Sequence, residues 1–183
     1  MIWNLPNKLT MSRILMIPFF AAALLWQNGS SHSFRMAALI LFAIASYTDH
    51  LDGKIARKYH LITNFGKFMD PLADKLLVCS ALICMVQLSQ LPAWIVIVVV
   101  AREFIISGFR LIAAEQGVVI AASMWGKAKT VSQMACIVLL ILNLNRAPWT
   151  YLTRASVFLM ALLTIVSLAD YLVKNRQVLQ ERN

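Results

Sequence analysis

The chain has 183 residues, of which 60% are hydrophobic and only 14% charged, where a soluble domain carries ~45–50% and ~25%. Together with a mean hydropathy of +0.72, this excludes a water-soluble globular domain and points to an integral membrane protein. The formal net charge is +9, from 17 Lys and Arg against 8 Asp and Glu; in a membrane chain such a surplus reads first as topology, because basic residues gather on the cytoplasmic side, and no nucleic-acid partner is expected.

A spanning helix needs ~20 mostly apolar residues, and six segments qualify when polar residues are allowed at one end: 9–26, 34–59, 63–89, 92–115, 122–144 and 149–173. Turn signals separate them at Asn28-Gly29-Ser30-Ser31, at Pro92, at Gly117 and between Asn143 and Pro148. The first apolar segment is not followed by a small-residue cleavage pattern and reads as a retained helix. There is no internal repeat and no dividing linker, so residues 1–183 read as a single domain: an all-α polytopic bundle of six transmembrane helices. Lys8 and Arg13, then Lys54, Arg57, Lys58 and Lys67, then Lys127 and Lys129, then Lys174, Arg176 and Arg182 fall on one side of this bundle, while Arg35, Arg146 and Arg154 fall on the other. The positive-inside rule therefore puts both termini in the cytoplasm. Cys79, Cys84 and Cys136 lie in apolar runs without Cys-x-x-Cys spacing and read as small buried hydrophobes. His50 and His60 have no metal-ligand partner at useful spacing. Trp3, Trp26, Trp94, Trp125 and Trp149 fall near the expected membrane boundaries, as interfacial anchors do.

The chemistry concentrates where the second and third segments meet. Asp49, Asp52, Asp70 and Asp74 are four of the eight acidic residues, and each continues an apolar helix. Asp49, Asp52, Gly53, Ala56 and Arg57 share a broad face of one helix, and Gly66, Asp70 and Asp74, spaced by four, share a face of the next. The short link from His60 to Thr63 makes these helices antiparallel neighbours and lets the four carboxylates converge. Met36 to Asp49 and Asp74 to Leu88 each span ~20 Å at ~1.5 Å per residue. Within a hydrocarbon core ~30 Å thick, that puts the cluster ~10 Å below the cytoplasmic surface.

Four acids at that depth would cost ~10–14 kcal/mol on insertion scales before mutual repulsion. Salt bridges to Lys54, Arg57 and Lys67 would offset part of this, but two helices in phase point rather to divalent cations. Oxygen-only ligands suit Mg²⁺ or Mn²⁺, and two such ions ~3.5–4 Å apart clamp the oxygens of a phosphoryl displacement. Arg57 offers a planar fork for phosphate. Pro71 removes a backbone donor and is expected to bend its helix near Lys67.

The run Asp49-x-x-Asp52-Gly53-x-x-Ala56-Arg57, eight residues, Gly66, three residues, Asp70, three residues, Asp74 resembles the full signature of the CDP-alcohol phosphotransferase family, with every position filled. The resemblance implies a six-helix, usually dimeric membrane enzyme with two divalent cations. Such an enzyme moves a phosphatidyl group from CDP-diacylglycerol to an alcohol and releases CMP. By position, it implies Asp49, Asp52 and Asp70 as metal ligands and Asp74 as general base and further ligand. Asp52, Gly53, Ala56, Arg57 and Gly66 would line the CDP site.

Outside the signature the chain resembles bacterial phosphatidylglycerophosphate synthases in Asn4-Leu5-Pro6-Asn7-Lys8-Leu9-Thr10 with Arg13, in Ala101-Arg102-Glu103-Phe104, and in Gly126-Lys127-Ala128-Lys129-Thr130. This implies glycerol 3-phosphate as acceptor, phosphatidylglycerol biosynthesis, a homodimer among membrane lipids, and the bacterial cytoplasmic membrane with the active site facing inward. Arg110, Lys127 and Lys129 are expected to hold the acceptor phosphate; positive-inside topology is the other reading of the two lysines. Asn7, Thr10, Arg13 and Arg102 are further polar pocket candidates. The first three could instead cap and anchor the first helix, and Arg102 could pair with Glu103 or another helix. A sister enzyme taking inositol phosphate, serine or phosphatidylglycerol is the nearest rival, and a divalent-cation transporter is the remote one. Against the latter, the acids sit at one leaflet and Arg57 would repel a permeating cation.

Overall fold

The computed structural model describes residues 4–58, 63–115, 120–121, 123–144 and 146–176, with the side chains of 49–58, 64–65 and 67–68 outside the description. The described secondary structure is helical throughout: α1 (Leu5–Leu25), α2 (His32–Lys58), α3 (Asn64–Gln87), α4 (Ala93–Glu115), α5 (Met124–Leu142) and α6 (Ala147–Lys174), with a short 3₁₀ turn, Trp26–Gly29, after α1. Three of these segments, Leu5–Gly29, Met124–Leu142 and Ala147–Lys174, are long and apolar enough to cross a membrane. The chain divides into two compact units, one ending at Leu91 and the other beginning at Pro92.

The first unit holds α1, α2 and α3. Helix α1 begins at Leu5, earlier than the apolar run at residue 9 suggests. The Asn4 side chain caps it, accepting from the Asn7 amide at 3.0 Å, and a proline stands in its first turn. It ends where Gln27, Asn28 and Gly29 take positive φ of 50°, 54° and 68°. That confirms the turn read at Asn28-Gly29, since these φ values favour Asn and Gly. The Arg35 guanidinium fastens the turn by donating to the Gly29 carbonyl at 2.8 Å. Helix α3 runs unbroken through Pro71.

Helix α1 lies along both α2 and α3, and α2 and α3 also touch, as the short link between them predicts. Small residues allow the approach: Ala38 and Ala45 on α2 and Ala73 and Ala81 on α3 are fully buried, as are Phe20 and Leu24 of α1. Phe20 meets Phe42 with ring centroids 5.8 Å apart.

The second unit holds α4, α5 and α6, with α6 packed against both of the others. Ser123 caps α5 by accepting from the Gly126 amide at 3.1 Å, and Asn143, at φ 45°, ends it. Val99, Cys136, Ile137, Ile141 and Met160 are fully buried, and Phe109 meets Tyr171 edge-on at 6.1 Å.

Both units expose large apolar side chains and bury several polar ones beside their apolar cores. Leu15, Phe19, Ile97, Val131, Phe158 and Ile165 are exposed, while Asn7, Thr10, Arg13, Arg102, Lys129, Gln133 and Ser167 are buried. Apolar surface outside and polar groups inside is the arrangement that a lipid solvent selects.

Candidate functional site

In the first unit the polar interior is built where α1 starts and α3 starts. Thr63 caps α3, its hydroxyl accepting from the Gly66 amide at 3.0 Å. The Asn7 amide of α1 donates to the same hydroxyl at 3.0 Å. One turn further along α1, the Thr10 hydroxyl lies 2.5 Å from Asp70 Oδ1, and Arg13 follows, wholly buried. Asn7, Thr10 and Arg13 therefore do not cap α1, which is the work of Asn4. They form its inner face, and Asn7 and Thr10 are directed at α3.

Gly66 makes this approach possible. A Cβ there would stand 2.9 Å from Asn7 Oδ1, 3.2 Å from Thr63 Oγ1 and 3.6 Å from Asp70 Oδ2. The two helices can close on one another only while position 66 has no side chain. Asp70 is half-buried and Asp74, one turn on, is exposed. Asp70 Oδ2 lies on the side of α3 that Gly66 faces, and Asp74 follows one turn later on the helix.

Asp49, Asp52, Gly53, Ala56 and Arg57 lie in the last turns of α2; their side chains are outside the described residues. Among the described residues, no group of three or more His, Cys, Asp and Glu side chains gathers to hold a metal. Two of the four expected carboxylates, Asp70 and Asp74, are described.

The second unit carries a separate polar knot. Arg102 Nη1 is 3.2 Å from Glu103 Oε1, and Arg102 Nε donates to Ser167 of α6 at 3.1 Å. Lys129 of α5, fully buried, is bonded to the same Glu103 oxygen and to Gln133 Oε1. A Cβ at Gly126 would lie 3.5 Å from Arg102 Nη2, so the first turn of α5 lies against this guanidinium. Of the residues expected to hold the acceptor phosphate, Lys129 is inside this network, while Arg110 and Lys127 are exposed. Arg102 takes the ion-pair option that the sequence left open.

Two features escaped the sequence reading. The first is Thr63, whose hydroxyl ties the α3 cap to Asn7; its signal was a Thr three residues before Gly66, at N-cap spacing. The second is Glu103 as the shared counter-ion of two helices. Its signal was an acid in the middle of an apolar helix, next in sequence to a base.

Comparison with known proteins gives the family. A sequence profile of the CDP-alcohol phosphatidyltransferase family matches residues 3–169. A Bacillus subtilis protein named CDP-diacylglycerol–glycerol-3-phosphate 3-phosphatidyltransferase is 44% identical, over 99% of this chain and 100% of its own length. A Haemophilus influenzae protein of the same name is 40% identical over 93% of this chain and 92% of its own. A Mycobacterium tuberculosis protein named probable phosphatidylglycerophosphate synthase is 40% identical over 93% of this chain and 81% of its own. Helical throughout its described residues, apolar outside, and matched over nearly its whole length, the chain belongs to the CDP-alcohol phosphatidyltransferase family.

Proposed function

We propose that this chain transfers the phosphatidyl group of CDP-diacylglycerol to glycerol 3-phosphate, giving phosphatidylglycerophosphate and CMP. The observation that carries the reading is the full-length similarity to the Bacillus subtilis enzyme of that name, in a chain that keeps every position of the carboxylate signature. The whole chain acts as one catalytic domain of six spans, with both termini and the active site on the cytoplasmic side of the bacterial inner membrane. It works as a homodimer in phosphatidylglycerol synthesis.

The chain's own residues divide the work as follows. Asp49, Asp52, Asp70 and Asp74 would hold two divalent cations, Mg²⁺ or Mn²⁺. The donor set fits such ions: carboxylate oxygens only, with Asp70 and Asp74 one turn apart on α3. When bound, the cations offset the charge of the diphosphate and of the departing nucleotide. Gly53 and Ala56 leave room for the nucleotide, the Arg57 fork holds a diphosphate oxygen, and Gly66 lets α1 close on α3 beside the site. Asp74 takes the proton of the acceptor hydroxyl, whose oxygen attacks the β-phosphorus. The bond from that phosphorus to the CMP oxygen breaks, and CMP leaves with the electron pair. Arg110 and Lys127, both exposed, draw the anionic phosphate of the acceptor, while Lys129 is engaged by Glu103 and Gln133.

The test is CMP release by the purified protein in detergent, with CDP-diacylglycerol, Mg²⁺ or Mn²⁺, and separate acceptors: glycerol 3-phosphate, serine, inositol, inositol phosphate and phosphatidylglycerol. Release is expected only with glycerol 3-phosphate and a divalent cation. Release with another acceptor would keep the chemistry and overturn the substrate.

A further inference from the structure

The carboxylate signature lies wholly on α2 and α3, yet the described partner of Asp70 comes from α1. Thr10 is 0% exposed, and its Oγ1 is 2.5 Å from Asp70 Oδ1. The same hydroxyl also lies 3.1 Å from the Pro6 carbonyl. A threonine hydroxyl has one proton to donate, and a bond to an ionised carboxylate is the shorter and stronger kind. The 2.5 Å contact therefore carries the proton. Helix α1 is itself fixed: it packs along both neighbours, and Asn7, one turn earlier, is bonded to the Thr63 cap of α3. The donor thus sits on a rigid element, 60 residues away in sequence from the group it meets.

A carboxylate on a two-bond stem can swing. A donor fixed on one oxygen sets the plane of the group and so the direction of the other oxygen. We propose that Thr10 is the positioning residue for Asp70, holding Oδ1 so that Oδ2 is presented to a divalent cation. The inference rests on the reading of Asp70 as a metal ligand. Residues that orient metal ligands in this way commonly contribute ~10–100-fold to metal affinity.

The test is Mn²⁺ binding to the purified full-length protein in detergent without substrates, followed by the electron paramagnetic resonance signal of free Mn²⁺. Thr10→Val keeps the shape and removes the donor, Thr10→Ser keeps the donor, and Thr10→Ala removes it without any risk of a clash. Unfolding midpoints are recorded for each. The Val and Ala variants are expected to bind Mn²⁺ ~10–100-fold more weakly than wild type, with Thr10→Ser within a few-fold of it. Wild-type affinity in a folded Val or Ala variant, or equal weakening in the Ser and Ala variants, would overturn the inference. Asp70→Asn separates the two levels. If it binds Mn²⁺ as tightly as wild type, the metal-ligand reading fails and the inference falls with it.

Discussion

The two units of the chain bury polar groups for opposite purposes. In the first, an acid on α3 meets a neutral donor: the hydroxyl of Thr10 reaches Asp70. In the second, the acid Glu103 lies between two cations, Arg102 and Lys129. A carboxylate bonded to a neutral hydroxyl keeps its charge for a further partner. One clamped between an Arg and a Lys has spent it inside the protein. In the second, most of the buried charge holds α4, α5 and α6 in register, while Arg110 and Lys127 stay exposed.

The largest expected effect lies in the first unit. Asp74→Asn keeps the size of the side chain and removes its ability to take a proton. A general base contributes roughly 10²–10⁴-fold, so CMP release should fall by at least about 100-fold while the unfolding midpoint stays near wild type. A variant that loses stability in proportion to activity would make Asp74 a structural acid like Glu103 and erase the contrast between the units.

Glu103→Gln should behave in the reverse way. Lys129 has a side chain only 1% exposed and Arg102 one 9% exposed. The substitution takes from these two cations the carboxylate they share. Breaking a buried pair on one side costs about 3–5 kcal/mol; with Ser167 and Gln133 still bonded to the cations, the lower end, about 3 kcal/mol, is expected. It would be seen as a lowered unfolding midpoint in detergent. Residual activity below the new midpoint should stay well above that of Asp74→Asn.

Much of this arrangement was legible in the sequence. Helix boundaries followed from apolar length and turn residues, as at Asn28-Gly29 and at Asn143. The common face of Gly66, Asp70 and Asp74 followed from a spacing of four. The short His60–Thr63 link argued for α2 beside α3, and those helices do touch; that α1 packs along both of them did not follow from chain proximity. The bond from Lys129 to Glu103 joins residues 26 apart in sequence, beyond the reach of any helical period. Asn7, Thr10 and Arg13 were visible as polar residues three apart in an apolar helix. Such spacing reveals an inner face without naming what it faces.

The smallest effect sharpens the account of how the first unit closes. Gly66→Ala adds one methyl group 2.9 Å from Asn7 Oδ1 and 3.2 Å from Thr63 Oγ1. Neither can withdraw freely, because Asn7 is 2% exposed and Thr63 caps α3. Overpacking of this kind typically costs 1–3 kcal/mol; about 2 kcal/mol is expected here, read as a lowered unfolding midpoint. Asn7→Ala alone also destabilises, because it takes a hydrogen bond from Thr63. The double variant should lose less than the two single losses added together, since removing the Asn7 amide clears the nearest atom in the path of the new methyl. Simple additivity in this cycle would mean that α1 does not press on α3 at Gly66, and the neighbouring Thr10–Asp70 contact would then need another explanation.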